Sequence, residues 1–240
     1  MDSTKITRPA RKLIRCKYCG AVIVAAGSGT RLGGIDKIMA PLGGEPVILR
    51  TVRQFQESDV IREIVVVTRP ELIVPIMDPC HEFPKLKAVV AGGDSRELSV
   101  NNGLNTLSEK CKLVAVHDGA RPLVSWQVID RTVRAANSYG AAAPAVPVKD
   151  TVKVVEGGIV KSTPQRSTLK AVQTPQVFDF DLLRGALRQA RMDAATITDD
   201  CSAVERLGMT VKIVEGDEKN IKITTALDLK IAQLLLEEMP

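Results

Sequence analysis

Residues 21–37 read AVIVAAGSGTRLGGIDK, an apolar run that breaks into a glycine-rich loop holding one arginine and ending in a lysine. The run Val22–Ala25 is short and unalternating, as expected of a strand covered on both faces. Glycines at 27, 29, 33 and 34 then let the chain turn tightly and present backbone amides. Two familiar phosphate fingerprints fail here. The dinucleotide pattern G-x-G-x-x-G needs glycine at 32, where the chain has Leu32. The P-loop pattern starting at Gly29 reaches Gly34 but continues Ile35-Asp36 instead of Lys-Ser/Thr. Gly27 and Gly29 can bring amides close to an anion, Arg31 offers a planar fork, and Lys37 adds a mobile point charge. Taken alone, the loop reads equally as a triphosphate cradle or as a strand–helix turn with a surface arginine.

Outward from this loop, short β-branched runs alternate with amphipathic stretches. Strands are expected at Val22–Ala25, Glu63–Thr68, Leu86–Val90, Lys112–Val116, Gly140–Val146, Lys170–Thr174 and Val211–Val214. Helices are expected around Ile48/Val52/Phe55, Leu98/Leu104/Leu107, Ile129/Val133/Ala136, Leu183/Ala186/Ala190 and Leu227/Ile231/Leu235. This alternation predicts an α/β fold with a mostly parallel sheet covered on both faces. Ligands in such sheets sit beyond the carboxyl ends of the strands. One segment breaks the rhythm. DTVKVVEGGIVKST (150–163) alternates with period two about Gly157-Gly158, a hairpin signal. Val152, Val154, Ile159 and Val160 need a surface, either their own domain or a second subunit.

The chain has 240 residues, 45% hydrophobic and 25% charged, an ordinary globular composition. Aromatics are only 3%, which argues against a base-stacking nucleic-acid surface. The net charge of +5 comes largely from Lys5, Arg8, Arg11, Lys12, Arg15 and Lys17, set against Asp2. A nucleic-acid reading would therefore rest on a basic N-terminal extension rather than on the body. The basic start and apolar GAVIVAA imitate a signal peptide, but GSGTR follows at once and a buried strand explains the run better. No other run approaches a membrane span, so a cytoplasmic chain is expected. Five scattered cysteines, with Cys16 and Cys19 as a lone C-x-x-C, suggest reduced thiols rather than a disulfide framework or a zinc site.

Two more loops follow expected strands. Gly92-Gly93-Asp94-Ser95-Arg96 leads into a helix bearing Ser99. Small residues there let a base lie against backbone, while Asp94 and Ser99 can hydrogen-bond its edge. His117-Asp118-Gly119-Ala120-Arg121-Pro122 ends another apolar strand. An aspartate facing a phosphate loop suits Mg²⁺, which takes few carboxylates plus phosphate oxygens. Arg121 could instead simply neutralise Asp118, and His117 reads as a packed histidine.

Together AAGSGTRL, the downstream lysine, GGDSRELSV, VHDGARP, the DT–hairpin–QR segment, QTPQ, ITDD and NIKIT, in that order, resemble the 2-C-methyl-D-erythritol 4-phosphate cytidylyltransferases of the non-mevalonate isoprenoid pathway. The resemblance covers about residues 20–236. It implies a single Rossmann-like nucleotidyltransferase domain over 20–240, preceded by a basic extension over 1–19. A β-hairpin arm at about 147–170 would project and make a homodimer. The implied reaction joins CMP from CTP to methylerythritol phosphate, releasing pyrophosphate, with Mg²⁺. By the same resemblance Ala25, Ala26, Gly27 and Gly29 line the nucleotide loop, and Arg31, Lys37 and Lys222 hold the phosphates. Gly93, Asp94 and Ser99 read cytosine. Asp118 holds Mg²⁺ and helps bind substrate, with Gly119 on the nucleotide and Arg121 on the substrate. Thr151 and Arg166, on the arm, reach the polyol phosphate in the neighbouring subunit. The family places its lysine in Pro-Lys-Gln, where this chain has Asp36-Lys37-Ile38. CKYC lies outside the resemblance, and Thr198, Asp199 and Asp200 fall in a shared motif without an assigned role. The alternatives are cytidylyl transfer to ribitol 5-phosphate, whose enzymes share these loops, and a non-catalytic nucleotide-binding module.

Overall fold

The structure, a computed structural model, describes residues 16–27 and 36–238. The chain starts with β1 (Cys19–Val24), then a short ribbon of β2 (Pro41–Leu42) and β3 (Glu45–Pro46), which leads into α1 (Val47–Glu57). Next come β4 (Ile61–Thr68), α2 (Ile73–Met77), β5 (Leu86–Ala91), α3 (Arg96–Thr106) and β6 (Leu113–Asp118). After α4 (Trp126–Tyr139) and β7 (Ala141–Pro147) come β8 (Val154–Glu156) and β9 (Ile159–Ser162). Then follow β10 (Lys170–Val172), β11 (Gln176–Asp179), α5 (Phe180–Met192), α6 (Asp200–Arg206), β12 (Lys212–Glu215) and α7 (Ala226–Glu237).

Strands β5, β4, β1 and β6 lie side by side and parallel, as the alternation of strands and helices predicts. β11 then runs antiparallel between β6 and β7. β7 carries β10 antiparallel on the same edge as β11, and β12 parallel on the other. Side chains alternate between the two faces of the sheet. Ile23, Ile64, Val66 and Ala115 pack under α1 and α4, with Val52, Phe55, Ile129 and Val133. Val22, Val65, Val67, Val114 and Val116 face α3, α5 and α6, against Leu104, Leu183 and Val204. Burial at these aliphatic positions is worth about 1.5–3 kcal/mol each relative to exposure, so the sheet needs few aromatics.

The short elements α2, α6 and the β2–β3 ribbon were not expected from the sequence, and three further features depart from its reading. β11 was not expected, because its four residues, QVFD, sit between Pro175 and the helical pattern of α5. α7 forms where expected, but Leu227 is 65% exposed and Ala232 supplies its buried contact. The fold is engaged before residue 20: Cys19 opens β1, and the Tyr18 carbonyl accepts from the amides of Lys112 and Leu113.

The hairpin stands apart from the main sheet. β8 and β9 pair only with each other, about Gly157 (φ 57) and Gly158 (φ 78). Both glycines have the left-handed backbone that a two-residue hairpin turn requires. Every residue of both strands is exposed, with Ile159 at 67%, so the apolar face does not fold back on its own domain.

Candidate functional site

The parallel strands end in register, Val24 lying opposite both Val67 and Asp118. Beyond them the ladders continue into the loops through Ala25 N–H to Val67 O (2.7 Å), Gly119 N–H to Val24 O (2.8 Å) and Gly92 N–H to Thr68 O (2.7 Å). These bonds rigidly place the starts of three loops around one cleft of about 360 Å³. Its walls include Ala25, Ala26 and Gly27 after β1, Gly93 to Arg96 with Ser99 after β5, Asp118 at the end of β6, and Lys37 and Lys222 from two further loops.

The loop after β5 is shaped by what cannot fit. A Cβ on Gly92 would overlap Ala26, and one on Gly93 would overlap Leu98. Ser95 caps α3 by accepting from Leu98 N–H at 3.1 Å. The Ser99 hydroxyl donates to Ser95 O at 2.9 Å and accepts from Gly93 N–H at 3.1 Å. Ser99 therefore holds Gly93 and Asp94 at the rim, with Asp94 exposed. Its hydrogen is committed to the loop itself.

Asp118 is the electrostatic centre. Arg96 Nη1 donates to its Oδ1 at 3.0 Å, and Oδ2 receives Lys222 Nζ at 3.0 Å and Arg121 Nε at 3.4 Å. Burial alone would raise its pKa, but Arg96, Lys222 and Arg121 together hold it well below the usual carboxylate range. Asp118 is thus an anion at any neutral pH. Arg96 also reaches Asp200 Oδ2 at 2.9 Å. Burial pulls the Arg96 guanidinium down, and the two carboxylates more than offset that, holding it above its ordinary value. Asp200 is wholly buried and has one cation against the three around Asp118, so burial raises its pKa.

Behind the cleft a chain of hydrogen bonds sets the loop after β6. Asp118 N–H donates to Thr174 Oγ1 (3.1 Å), and Thr174 Oγ1 lies 3.0 Å from His117 Nδ1. His117 Nε2 lies 3.2 Å from the Arg121 carbonyl, which can only accept. The proton therefore sits on Nε2, and Nδ1 accepts from Thr174. Burial lowers the His117 pKa to about 3, so the ring is neutral and serves as a clamp. The Lys222 loop is tied to the same frame by Arg121 Nη1 to Asn220 O (2.7 Å) and Ile223 N–H to Ala120 O (2.8 Å).

The structure thus brings together Ala25, Ala26, Gly27, Lys37, Gly93, Asp94, Ser99, Asp118 and Lys222. Gly119 is buried behind the site, where a Cβ would crowd Ile48, Ala25 and the Val24 carbonyl. Arg121 is mostly buried and braces Asp118 rather than lining the cleft. Thr151 and Arg166 are exposed on the arm and do not line this cleft. Arg166 Nη1 donates to Lys149 O at 3.0 Å. Gly29 and Arg31 lie outside the described residues. The Asp36-Lys37-Ile38 segment is pinned on both sides of Lys37: Asp36 pairs with Arg69 and caps Ile38 N–H at 3.0 Å, and Ile38 is buried. Arg69 also donates to Gly27 O at 3.4 Å, so one side chain ties both ends of the glycine-rich loop. Sequence reasoning assigned no role to Arg96 or Asp200, and their pairing across 104 positions left no local signal.

Among the described residues no group of three His, Cys, Asp or Glu side chains could cage a metal, and no helix is long and apolar enough to cross a membrane. Cys19 and Cys111 are free and buried; burial, with Glu63 hydrogen-bonded to its thiol, pushes the Cys111 pKa up to about 12, which makes it inert.

The family model described as 2-C-methyl-D-erythritol 4-phosphate cytidylyltransferase matches residues 19–238. A relative of that name from Caldanaerobacter subterraneus subsp. tengcongensis is 45% identical over 223 residues, covering 91% of this chain and 98% of its own. One from Symbiobacterium thermophilum is 45% identical over 219 residues, covering 90% and 92%. The crystal structure of 4-diphosphocytidyl-2C-methyl-D-erythritol synthase from Anaerococcus prevotii superposes with a TM-score of 0.84 at 33% identity, covering 92% of this chain and 97% of that one.

Proposed function

The chain belongs to the 2-C-methyl-D-erythritol 4-phosphate cytidylyltransferase family and transfers CMP from CTP to methylerythritol phosphate, and from that premise we propose how its residues divide the work. The acceptor's phosphate oxygen is already a nucleophile, so attack on the α-phosphorus needs no general base. The difficulty is bringing two anions into line, which positioning and fixed positive charge overcome. Lys37 and Lys222 offset the charge of the triphosphate and of the crowded phosphorus, with Arg31 as the third cation. Ala25 to Gly27 and the Gly93–Ser99 loop hold the nucleotide, Gly93 and Asp94 presenting the groups that read cytosine.

Asp118 is the residue that would hold Mg²⁺. One buried carboxylate at the mouth of a phosphate cleft fits that ion, which takes phosphate and water oxygens for its other positions. The ion would supply further neutralisation of the triphosphate. Lys222 is 42% exposed and can leave Asp118 Oδ2 for a phosphate, which frees that oxygen. Arg121 and His117 keep the carboxylate in place meanwhile.

The observation that carries this reading is the convergence of Lys37, Lys222, Asp118 and two glycine-shaped loops on one cleft. A module that merely bound a nucleotide would not need that density of opposed charge. The relatives' names favour the methylerythritol acceptor over ribitol 5-phosphate. Thr151 and Arg166 complete the acceptor site of a second copy through the arm, whose apolar face is uncovered in its own chain. Pyrophosphate release should require CTP, methylerythritol phosphate and Mg²⁺ together. Equal or faster release with ribitol 5-phosphate would overturn the acceptor, and none with either would overturn the enzyme.

A further inference from the structure

We propose that Asp200 is a positioning residue: it holds Arg96 on one oxygen of Asp118, so that the other faces the ligand. This rests on the reading of Asp118 as the ligand-facing carboxylate of the cleft.

An arginine fork usually serves one carboxylate with two parallel bonds. Arg96 instead spends Nη1 on Asp118 Oδ1 and Nη2 on Asp200 Oδ2. The three residues come from three elements, Arg96 opening α3, Asp118 closing β6 and Asp200 opening α6. Asp200 is fully buried, and its Oδ1, like Arg96 Nε, has no hydrogen-bond partner among the described residues. A buried carboxyl group with one oxygen unpartnered is costly, and its bond to Arg96 is what offsets that cost. Its backbone is fixed from outside the site. Asp199 and Ser202 form a capping box, and Gln176 on β11 donates to Asp199 Oδ2 (2.6 Å) and accepts from Cys201 N–H (3.1 Å). The anchor therefore belongs to the frame, not to the rim of the cleft.

The consequence is directional. A long cation at a phosphate cleft, tied only to Asp118, would leave it for the triphosphate. With Asp200 holding Nη2, Arg96 stays and Oδ1 remains covered. Oδ2 is shared with half-exposed Lys222 and braced at longer range by Arg121, so it is the oxygen that becomes available. Asp200 thereby selects which face of Asp118 works.

The test is a double-mutant cycle on the full chain with Asp200→Asn, Arg96→Lys and the pair, reading kcat and the KM for CTP. Asp200→Asn should lower kcat about tenfold with a smaller change in KM, and should cost nothing further in the Arg96→Lys background, because coupled residues lose one interaction once. Additive losses, or a folded Asp200→Asn with native kcat, would overturn the proposal. Arginine ¹⁵N NMR of the wild-type protein without substrate supplies a second readout, independent of turnover. Rotation about the Arg96 Nε–Cζ bond should be slow in wild type and fast in Asp200→Asn, and free rotation in wild type would sink the bridge. Absence of turnover in the wild type would instead overturn the reading of the site while leaving the NMR result to judge the bridge.

Discussion

At the scale of single residues, Asp118 shows how much a neighbourhood changes a carboxylate. Three cations outweigh burial and keep it an anion, and Thr174, itself held by the neutral ring of His117, sets its backbone. Lys222→Ala should lower kcat by at least ~10²-fold, the loss expected for one charge acting on the transition state. Its fold should be retained, because the lysine side chain is 42% exposed, and steady-state kinetics with a thermal melt would check both. His117 gives a stability prediction with a definite sign. Its folded pKa is about 3 against an ordinary 6.5, because burial disfavours the charged ring. The unfolded chain therefore takes up a proton below pH 6.5 that the folded chain refuses. Stability should fall as pH drops from 6.5 toward 3, by up to about 1.4 kcal/mol per pH unit from this group. Urea melts between pH 6.5 and 4.5 should show that slope in wild type and a flatter one in His117→Gln; equal slopes would refute it.

At the scale of elements, the arm is the part that explains itself least within one chain. Its exposed valines and Ile159 imply a partner surface, and the proposed partner is a second copy. If Arg166 completes the neighbour's acceptor site, mixing Arg166→Ala subunits with Lys222→Ala subunits should regenerate activity. A mixed dimer would hold one intact site and one with both lesions. Random pairing makes about half the dimers mixed, so roughly a quarter of native activity should return if sites act independently. No recovery despite demonstrated subunit exchange would place the arm's residues in their own chain's function. Short elements were the ones the sequence concealed. α6 has seven residues and β11 four, too few for a period to declare itself. Both matter to the site, because β11 fixes α6 and α6 carries Asp200.

At the scale of the whole molecule, the described chain is already engaged with the domain ahead of β1. Lys17 N–H donates to Asn137 and its ammonium pairs with Asp179. Removing residues 1–15 should leave the melting temperature and kcat close to native. Removing 1–19 should lower stability, because it deletes buried Cys19 and the Tyr18 carbonyl that serves two amides. Differential scanning calorimetry of the two truncations would decide this. The sequence by itself determined the α/β alternation, the loops after β1, β5 and β6, and the hairpin about Gly157-Gly158, because each is written in neighbouring residues as a period or a turn. It also carried the family resemblance, which the family match over residues 19–238 bears out. Only the tertiary structure decided that Gly119 and Arg121 brace the site from behind, and that Arg96 joins Asp118 to Asp200. Those roles depend on groups far apart in the chain meeting across strand ends, and a local pattern holds no record of such meetings.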